Sequence, residues 1–212
     1  MKKIAIAVLI ILMASLIFCL LLNAERKDAA RAFGDVIDLY SVEEYAPHRW
    51  RLAAPDETAW VAFDNMSIAM VVDADPFIAA GADLSKLGNV AEHYLNQGEE
   101  SIYFPSPSFD MLNQHIKDSP TAQFEHDLKA LRKYISFNKA TGSYSLSCGE
   151  GNTFEWAQDI NGAHSDIVFA LNPEPLIAAG VDPENVEGWD YVQVFIEING
   201  KTEQVWRFQK TV

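Results

Sequence analysis

Two apolar segments without alternation and one hairpin pattern are the clearest structural signals along the chain. Ser67–Val72 and Asp166–Leu171 are short apolar runs, which is typical of strands that are buried on both faces. Near the end of the chain, Tyr191–Ile198 and Thr202–Lys210 have the residue types that strands prefer. Asn199-Gly200 between them is a favoured type I′ turn, so this region predicts a β-hairpin.

A nine-residue motif follows each of the two apolar runs. Residues 75–83 read DPFIAAGAD and residues 174–182 read EPLIAAGVD, an offset of 99 positions with six identities. An acid and a proline open each motif and predict a short helix. Gly81 and Gly180 are expected to end these helices at a positive φ. Side-chain caps are expected from Asp73, Asp83, Asn172 and Asp182.

The motif extends upstream into a longer match, which predicts an internal repeat. Leu52 aligns with Leu146 in predicted strands, and Trp60 aligns with Trp156 on a predicted amphipathic helix. We therefore expect an α+β fold: two tandem copies of a strand–strand–helix–strand–helix unit with a helical insert between them, behind an N-terminal hydrophobic helix. The seam between the copies is the expected place of a binding site, because pockets favour such interfaces.

The pattern divides the chain into five parts. A signal anchor or signal peptide covers residues 1–24, and a polar tether covers residues 25–35. The two repeat units are expected at residues 36–104 and 134–212. The helical insert is expected at residues 105–133, where apolar residues recur at helical spacing.

The uncharged run over residues 4–22 is 19 residues long, and at about 1.5 Å per residue it can cross a bilayer core. Lys2 and Lys3 precede the run, which predicts a cytoplasmic N-terminus and export of the rest. Two interpretations stay open: an uncleaved anchor, which the length favours, and cleavage near Ala24. We therefore expect a bacterial single-pass membrane protein with its C-terminal domain outside, or a secreted protein if the leader is cleaved.

Composition and charge exclude some classes of protein. The 212 residues are 49% hydrophobic and 22% charged, which excludes a disordered chain. There are 16 basic and 30 acidic residues, so the formal charge is -14, and a surface this acidic repels phosphate backbones. We therefore expect no nucleic-acid partner. Beyond the leader the one cysteine is Cys148, so the exported part has no internal disulfide and depends on its hydrophobic core.

Cys148 is the candidate nucleophile of the chain, since glycines surround it in Ser-Cys-Gly-Glu-Gly. His164 or His126 would have to act as its base, and nothing in the sequence places either histidine beside the thiol. The repeat-equivalent segment of the first half is Ala53-Ala54-Pro55, which has no thiol. A lone thiol in a turn is therefore the favoured interpretation of Cys148.

Neither a metal site nor a cofactor site is predicted. The histidines show no zinc-ligand spacing, and the chain has no glycine-rich phosphate loop. Helix capping explains the acids within residues 73–83 better than a calcium loop does. The five histidines are His48, His93, His115, His126 and His164.

These observations favour a non-catalytic, extracytoplasmic, membrane-tethered binding or interaction module, with the membrane contacted through residues 4–22. Its ligand is expected to be a peptide, a glycan or an envelope protein. The alternative is an extracytoplasmic hydrolase that uses Cys148 or a carboxylate pair, and a third class is a structural envelope protein.

The tryptophans and the acids supply the features that would separate these functions. A concave pocket lined by acids and tryptophan would favour binding, and a titratable cluster around Cys148 would favour the enzyme. Trp60 and Trp156 are expected in the core. Trp50, Trp189 and Trp206 are the candidates for a groove, although a core position is favoured for them too.

Overall fold

The structure is a computed structural model that describes a defined part of the chain. The described residues are Met13, Ser15, 42–46, 49–64, 67–96, 99–105, 135–138, 142–157, 166–198 and 201–211. The predicted tether at 25–35 lies outside them, as does the predicted helical insert apart from Pro105.

The first half of the described chain forms a six-stranded antiparallel sheet with the strand order β1-β2-β3-β4-β6-β5. One short helix, α1 (Asp75–Ala79), and one 3₁₀ turn, Leu84–Lys86, separate β4 from the final hairpin. The strands are β1 (Val42–Ala46), β2 (Arg49–Ala53), β3 (Ala59–Asp64), β4 (Ser67–Asp73), β5 (Glu92–Asn96) and β6 (Glu99–Pro105).

The second half forms another six-stranded antiparallel sheet, with the order β7-β8-β9-β10-β12-β11. Helix α2 (Pro173–Ala178) and a 3₁₀ turn, Pro183–Asn185, again precede the last hairpin. The strands are β7 (Ile135–Asn138), β8 (Ser143–Ser147), β9 (Thr153–Ala157), β10 (Asp166–Leu171), β11 (Asp190–Ile198) and β12 (Lys201–Thr211).

The segments that follow α1 and α2 bind one another through reciprocal backbone contacts. The N–H of Asp83 donates to the carbonyl oxygen of Ala179, and the N–H of Asp182 donates to that of Ala80, both at 2.8 Å. The backbones come this close because glycine occupies positions 81 and 180. The seam between the halves is therefore closed by main-chain hydrogen bonds, and neither of the two cavities described below lies there.

A single hydrophobic core joins the inner faces of both sheets and the short helices. Along β9, Phe154 and Trp156 point into this core, so the residue between them points to the opposite face of the sheet. The large, fully buried aromatic side chains of the core are Phe77, Phe104, Phe154, Trp156, Phe169 and Phe208.

The α+β prediction is wrong, because the described chain is mostly β-sheet with two short helices. The tandem strand–strand–helix–strand–helix unit is likewise not supported. Its first helix does not exist, since Trp60 lies in β3 and Trp156 lies in β9. The two tryptophans are also not equivalent, because Trp60 packs in a small cluster outside the core to which Trp156 belongs.

The prediction of a single-pass membrane protein with a transmembrane helix over residues 4–22 is also contradicted. No helix among the described residues is long and apolar enough to span a bilayer. Of the predicted span, Met13 and Ser15 are the described residues.

Candidate functional site

Polar residues of the second sheet, of which Asn138 and Glu155 are buried, line a cavity of about 260 Å³ on the face opposite the core. Ser136 of β7 pairs with Ser145 of β8, and Ser145 pairs with Glu155 of β9, so the three side chains form a row across the sheet. The lining is completed by residues of β7, β9, β11 and β12. The lining residues are Ser136, Phe137, Asn138, Ser145, Thr153, Glu155, Ile196 and Arg207.

The curvature of the second sheet shapes the walls of this cavity. Asn138 on the edge strand β7 donates from Nδ2 to the backbone oxygen of Phe195 on β11, at 3.1 Å. Because β7 and β11 are the two edges of the sheet, this contact brings the edges together and makes the sheet a half-barrel. The polar face is therefore the interior of the curve.

Glu155 is the buried acid of the cavity, with 9% of its surface exposed. Thr153 Oγ1 donates to Oε1 at 3.0 Å, and Ser143 Oγ donates to Oε2 at 3.2 Å. Burial raises the pKa of the Glu155 carboxyl, while the two hydroxyl donors and the charge of Arg207 oppose that rise. A carboxyl group with a raised pKa in a cleft is a recognised mark of a functional site.

Arg207 is the cation of the same cavity and projects from β12. Phe208, its neighbour in sequence, points into the core, so the guanidinium lies on the cavity face. Burial lowers the pKa of Arg207, and the charges of Glu155 and Glu174 oppose that change. Nη1 donates to the carbonyl oxygen of Trp206 at 2.9 Å.

The corresponding face of the first sheet is built differently. Ala62 of β3 pairs with Ala69 of β4, just as Glu155 of β9 pairs with Val168 of β10. Ala62, Ala69 and Val71 pack there with Trp60 and with Tyr103. The face of the first sheet that corresponds to the cavity face is therefore packed with apolar side chains. The polar cavity of the second sheet is thus not a requirement of the sheet architecture.

A second depression, of about 360 Å³, lies on the first sheet and is lined by acids around Trp60. Several of these acids have structural partners. Asp73 accepts a hydrogen bond from the N–H of Asp75, and Asp56 binds Lys210 of β12 at 2.6 Å. Glu57 lies 3.8 Å from Arg51. The side-chain cap predicted at Asp73 is absent, since α1 has Ala74 at its N-cap position, but the hydrogen bond from the backbone of Asp75 and the ion pairs account for much of the acidic surface.

Cys148 lies outside the cavity and is fully buried. Its Sγ lies 3.7 Å from the carbonyl oxygen of Leu146, and burial raises its pKa to about 12. A thiolate is the reactive form of cysteine, so this environment makes the side chain inert. His164 and His126 lie outside the described residues, so the pairing of Cys148 with a histidine stays a prediction.

Labelling with a thiol reagent tests the burial of Cys148. We expect the full chain and a Cys148→Ala variant to react to the same extent when folded. In denaturant the wild-type chain should bind one more equivalent of reagent per chain, because only unfolding exposes this thiol. An extra equivalent that reacts in the folded protein within minutes would show that Cys148 is accessible.

The tryptophans are divided between core and surface. Trp156 and Trp189 are buried in the core, whereas Trp60 lines the acidic depression. Trp206 is 43% exposed and stacks on Tyr191, with ring centroids 4.4 Å apart. Of the predicted groove candidates, Trp206 therefore lies at the surface and outside both cavities, Trp189 lies in the core, and the side chain of Trp50 is outside the described part of the structure.

No metal cluster is present within the described ranges: no three His, Cys, Asp or Glu side chains are close enough to share an ion. His93 is the histidine in this part of the chain, and it lies 3.3 Å from Glu100. The expectations of no metal and no cofactor stay predictions.

Glu155 and Arg207 were not identified as site residues from the sequence. The signal was available in the alternation Thr-Phe-Glu-Trp-Ala at residues 153–157, where an acid stands between two core aromatics. Because the sequence predicts an amphipathic helix for that segment, it assigns no role to Glu155.

Comparisons with protein-family models, curated proteins and solved structures find no match to this chain.

Proposed function

We propose that this protein is a non-catalytic binding module that takes a small polar ligand in the half-barrel cavity. The observation that carries the proposal is a pair of opposite charges on one cavity: Glu155 is buried, Arg207 is half-buried, and both polar and apolar side chains complete the lining. Binding sites are typically concave, with a few placed polar groups and some apolar wall. Here Phe137 and Ile196 supply the apolar wall.

Burial cost supports a ligand-binding role for these residues. An ionisable group inside a protein loses hydration, and partners must replace it if the fold is to tolerate the group. The first sheet avoids this cost by placing Ala62 at the position of Glu155. The second sheet buries Glu155 despite the loss of hydration, and recognition of a ligand explains why an acid occupies this position.

The cavity supports binding better than it supports the hydrolase alternative. Glu155 is the one carboxylate among the lining residues, and the two acids that a paired-carboxylate mechanism requires are not both there. Cys148 is fully buried and is not among the residues that line the cavity.

Thermal unfolding of the full chain in the presence of small polar compounds tests the proposal. A compound that binds the folded state raises the melting temperature by mass action. The panel comprises amino acids, hydroxy acids, amines and monosaccharides at millimolar concentration. We expect at least one class to raise the melting temperature, and Ser145→Leu, which fills the cavity, to abolish that rise.

The matched control is Thr202→Leu, because Thr202 is exposed on β12 and lies outside the cavity. This variant should retain the response to the ligand. A panel that leaves the melting temperature unchanged would count against the proposal, as would a response that survives in Ser145→Leu.

Replacement of Glu155 by glutamine is expected to stabilise the fold at neutral pH by about 1 kcal/mol. A carboxyl whose pKa is raised on folding costs stability as the pH increases from its unfolded pKa through its folded pKa. Glutamine does not titrate, so it avoids this loss, and the Ser143 and Thr153 hydroxyls can reorient to bond its amide.

Melting temperatures of the wild-type chain and of Glu155→Gln between pH 3 and pH 8 measure this effect. The melting temperature of Glu155→Gln should exceed that of the wild-type chain least at acid pH, where Glu155 is protonated in both the folded and the unfolded state. This difference should grow as the pH rises. A wild-type chain that is the more stable of the two at pH 8 would show that the carboxylate stabilises the unliganded fold.

A further inference from the structure

Two opposite charges face the same cavity without touching. Glu155 and Arg207 both line it and interact electrostatically, but they form no ion pair within 4 Å. Their strands are not neighbours in the sheet, because β10 lies between β9 and β12. A space with a carboxylate on one wall and a guanidinium on another is electrically a dipole.

Each of these groups has hydrogen-bonding capacity that the described protein does not use. The oxygens of Glu155 accept one hydroxyl each, although a carboxylate has about four acceptor sites. Arg207 uses one of its five N–H donors, on the backbone oxygen of Trp206. The remaining acceptor sites of Glu155 and the remaining N–H donors of Arg207 are therefore available to a ligand.

We infer that the cavity binds a zwitterion, a free α-amino acid, with its ammonium group on Glu155 and its carboxylate on Arg207. This inference rests on the proposed function and specifies its ligand. A guanidinium binds a carboxylate through two parallel hydrogen bonds, and an ammonium has three donors for the open sites of a carboxylate. The apolar wall of Phe137 and Ile196 accepts the ligand's side chain.

Ligands with a single charge fit less well. An anion on Arg207 would lie near the Glu155 carboxylate, and a cation on Glu155 would lie near the guanidinium, so each meets a like charge. A neutral sugar compensates neither group. A zwitterion compensates both, and because its net charge is zero it is not repelled by a chain with a formal charge of -14.

Cavity size and the state of Glu155 agree with this ligand. The volume of about 260 Å³ is below that of typical drug-sized pockets, so the ligand has to be small. Burial raises the pKa of Glu155, and an adjacent ammonium would favour the ionised form that the ion pair requires.

Isothermal titration calorimetry on the full chain tests the inference with glycine, L-alanine and L-leucine as probes. The comparison compounds are the deaminated hydroxy acid and the decarboxylated amine of leucine, together with glucose. We expect at least one of the amino acids to bind, and the hydroxy acid and the amine to bind at least tenfold more weakly than leucine. Loss of either charge removes one of the two ion pairs.

Variants of the two charged residues separate the two halves of the ligand. Glu155→Gln should weaken amino-acid binding at least tenfold, and its affinity for the hydroxy acid should be no lower than that of the wild-type chain. Arg207→Met should weaken amino-acid binding at least tenfold, and its affinity for the amine should be no lower than that of the wild-type chain. Lys201→Met on the exposed start of β12 is the charge-matched control and should change neither affinity.

The outcomes distinguish the inference from the proposed function. If glucose, the hydroxy acid or the amine binds as tightly as the amino acids and Ser145→Leu blocks it, the cavity is a binding site and the zwitterion inference is wrong. If none of the six compounds binds, the zwitterion inference is wrong, and the thermal-unfolding panel then decides the proposed function. Amino-acid binding that neither Glu155→Gln nor Arg207→Met weakens would overturn the inference and place the ligand elsewhere.

Discussion

Alanine at Gly81 or at Gly180 should lower the free energy of unfolding by about 2–4 kcal/mol, because backbone strain and a steric clash add together. The two glycines have φ of 103° and 106°, values that residues with a Cβ rarely adopt. An added Cβ at either position would also lie 2.9 Å from the carbonyl oxygen of the other glycine. That oxygen belongs to the backbone and cannot move away as a side chain would.

The reciprocal hydrogen bonds at this seam make the expected loss large. A shift that relieved the clash at residue 81 would lengthen the bonds from Asp83 to Ala179 and from Asp182 to Ala80, which are both 2.8 Å long. Each broken backbone bond leaves polar groups that must find new partners. The strain therefore spreads to the contact that joins the two halves.

Gly88→Ala is the matched control for this prediction. Gly88 also has a positive φ, 67°, but an added Cβ there has no atom within 4 Å, so only the backbone strain remains. We expect it to cost about 1 kcal/mol. Urea unfolding of the three variants gives the comparison, and equal losses at residues 81 and 88 would mean that the seam tolerates a methyl group.

The parts of the fold that were predicted correctly are governed by local physics. Strands were predicted at Ser67–Val72 and Asp166–Leu171 and are present at Ser67–Asp73 and Asp166–Leu171. Strands β11 and β12 form the expected hairpin, with Ile198 opposite Lys201, and the predicted turn at residues 199–200 lies outside the described residues. Asn172 caps α2, and the two motif glycines have a positive φ. Capping, turn chemistry and an apolar run each depend on residues close in sequence.

The errors arose where tertiary pairing decides the structure. The segment at 153–157 was predicted to belong to an amphipathic helix but is strand β9, and its aromatics alternate with polar residues as a strand requires. It pairs along its whole length with β10. Short segments of this kind take their conformation from the neighbouring strand, which propensity does not describe.

The candidate site was missed for a related reason. Its residues come from β7, β8, β9, β11 and β12, and they meet only because the sheet curves until Asn138 reaches the backbone of Phe195. No local spacing connects Glu155 to Arg207, which lie 52 positions apart in the chain. Cys148 drew attention because its local sequence was distinctive, whereas the cavity residues are ordinary strand residues until the register is known.

Alanine at Phe77 should lower the free energy of unfolding by about 3–5 kcal/mol, the usual cost of removing a large buried aromatic side chain. Phe77 is completely buried in α1, with ring centroids 5.6 Å from Trp189 and 5.8 Å from Phe208. Both partners belong to the second half of the chain, so this side chain joins α1 to the opposite sheet through the shared core.

Two comparison variants isolate the cause of that loss. Ile78→Ala changes the neighbouring residue of the same helix, which is 38% exposed, and should cost less than about 1 kcal/mol. Phe77→Leu keeps most of the volume and reproduces Leu176, which is fully buried in α2, so it should cost far less than alanine does. Because alanine is the best helix former, weaker helix propensity cannot explain a large loss at Phe77. If Phe77→Ala unfolds at the same urea concentration as Ile78→Ala, α1 does not depend on the second sheet for its position, and the single shared core is wrong.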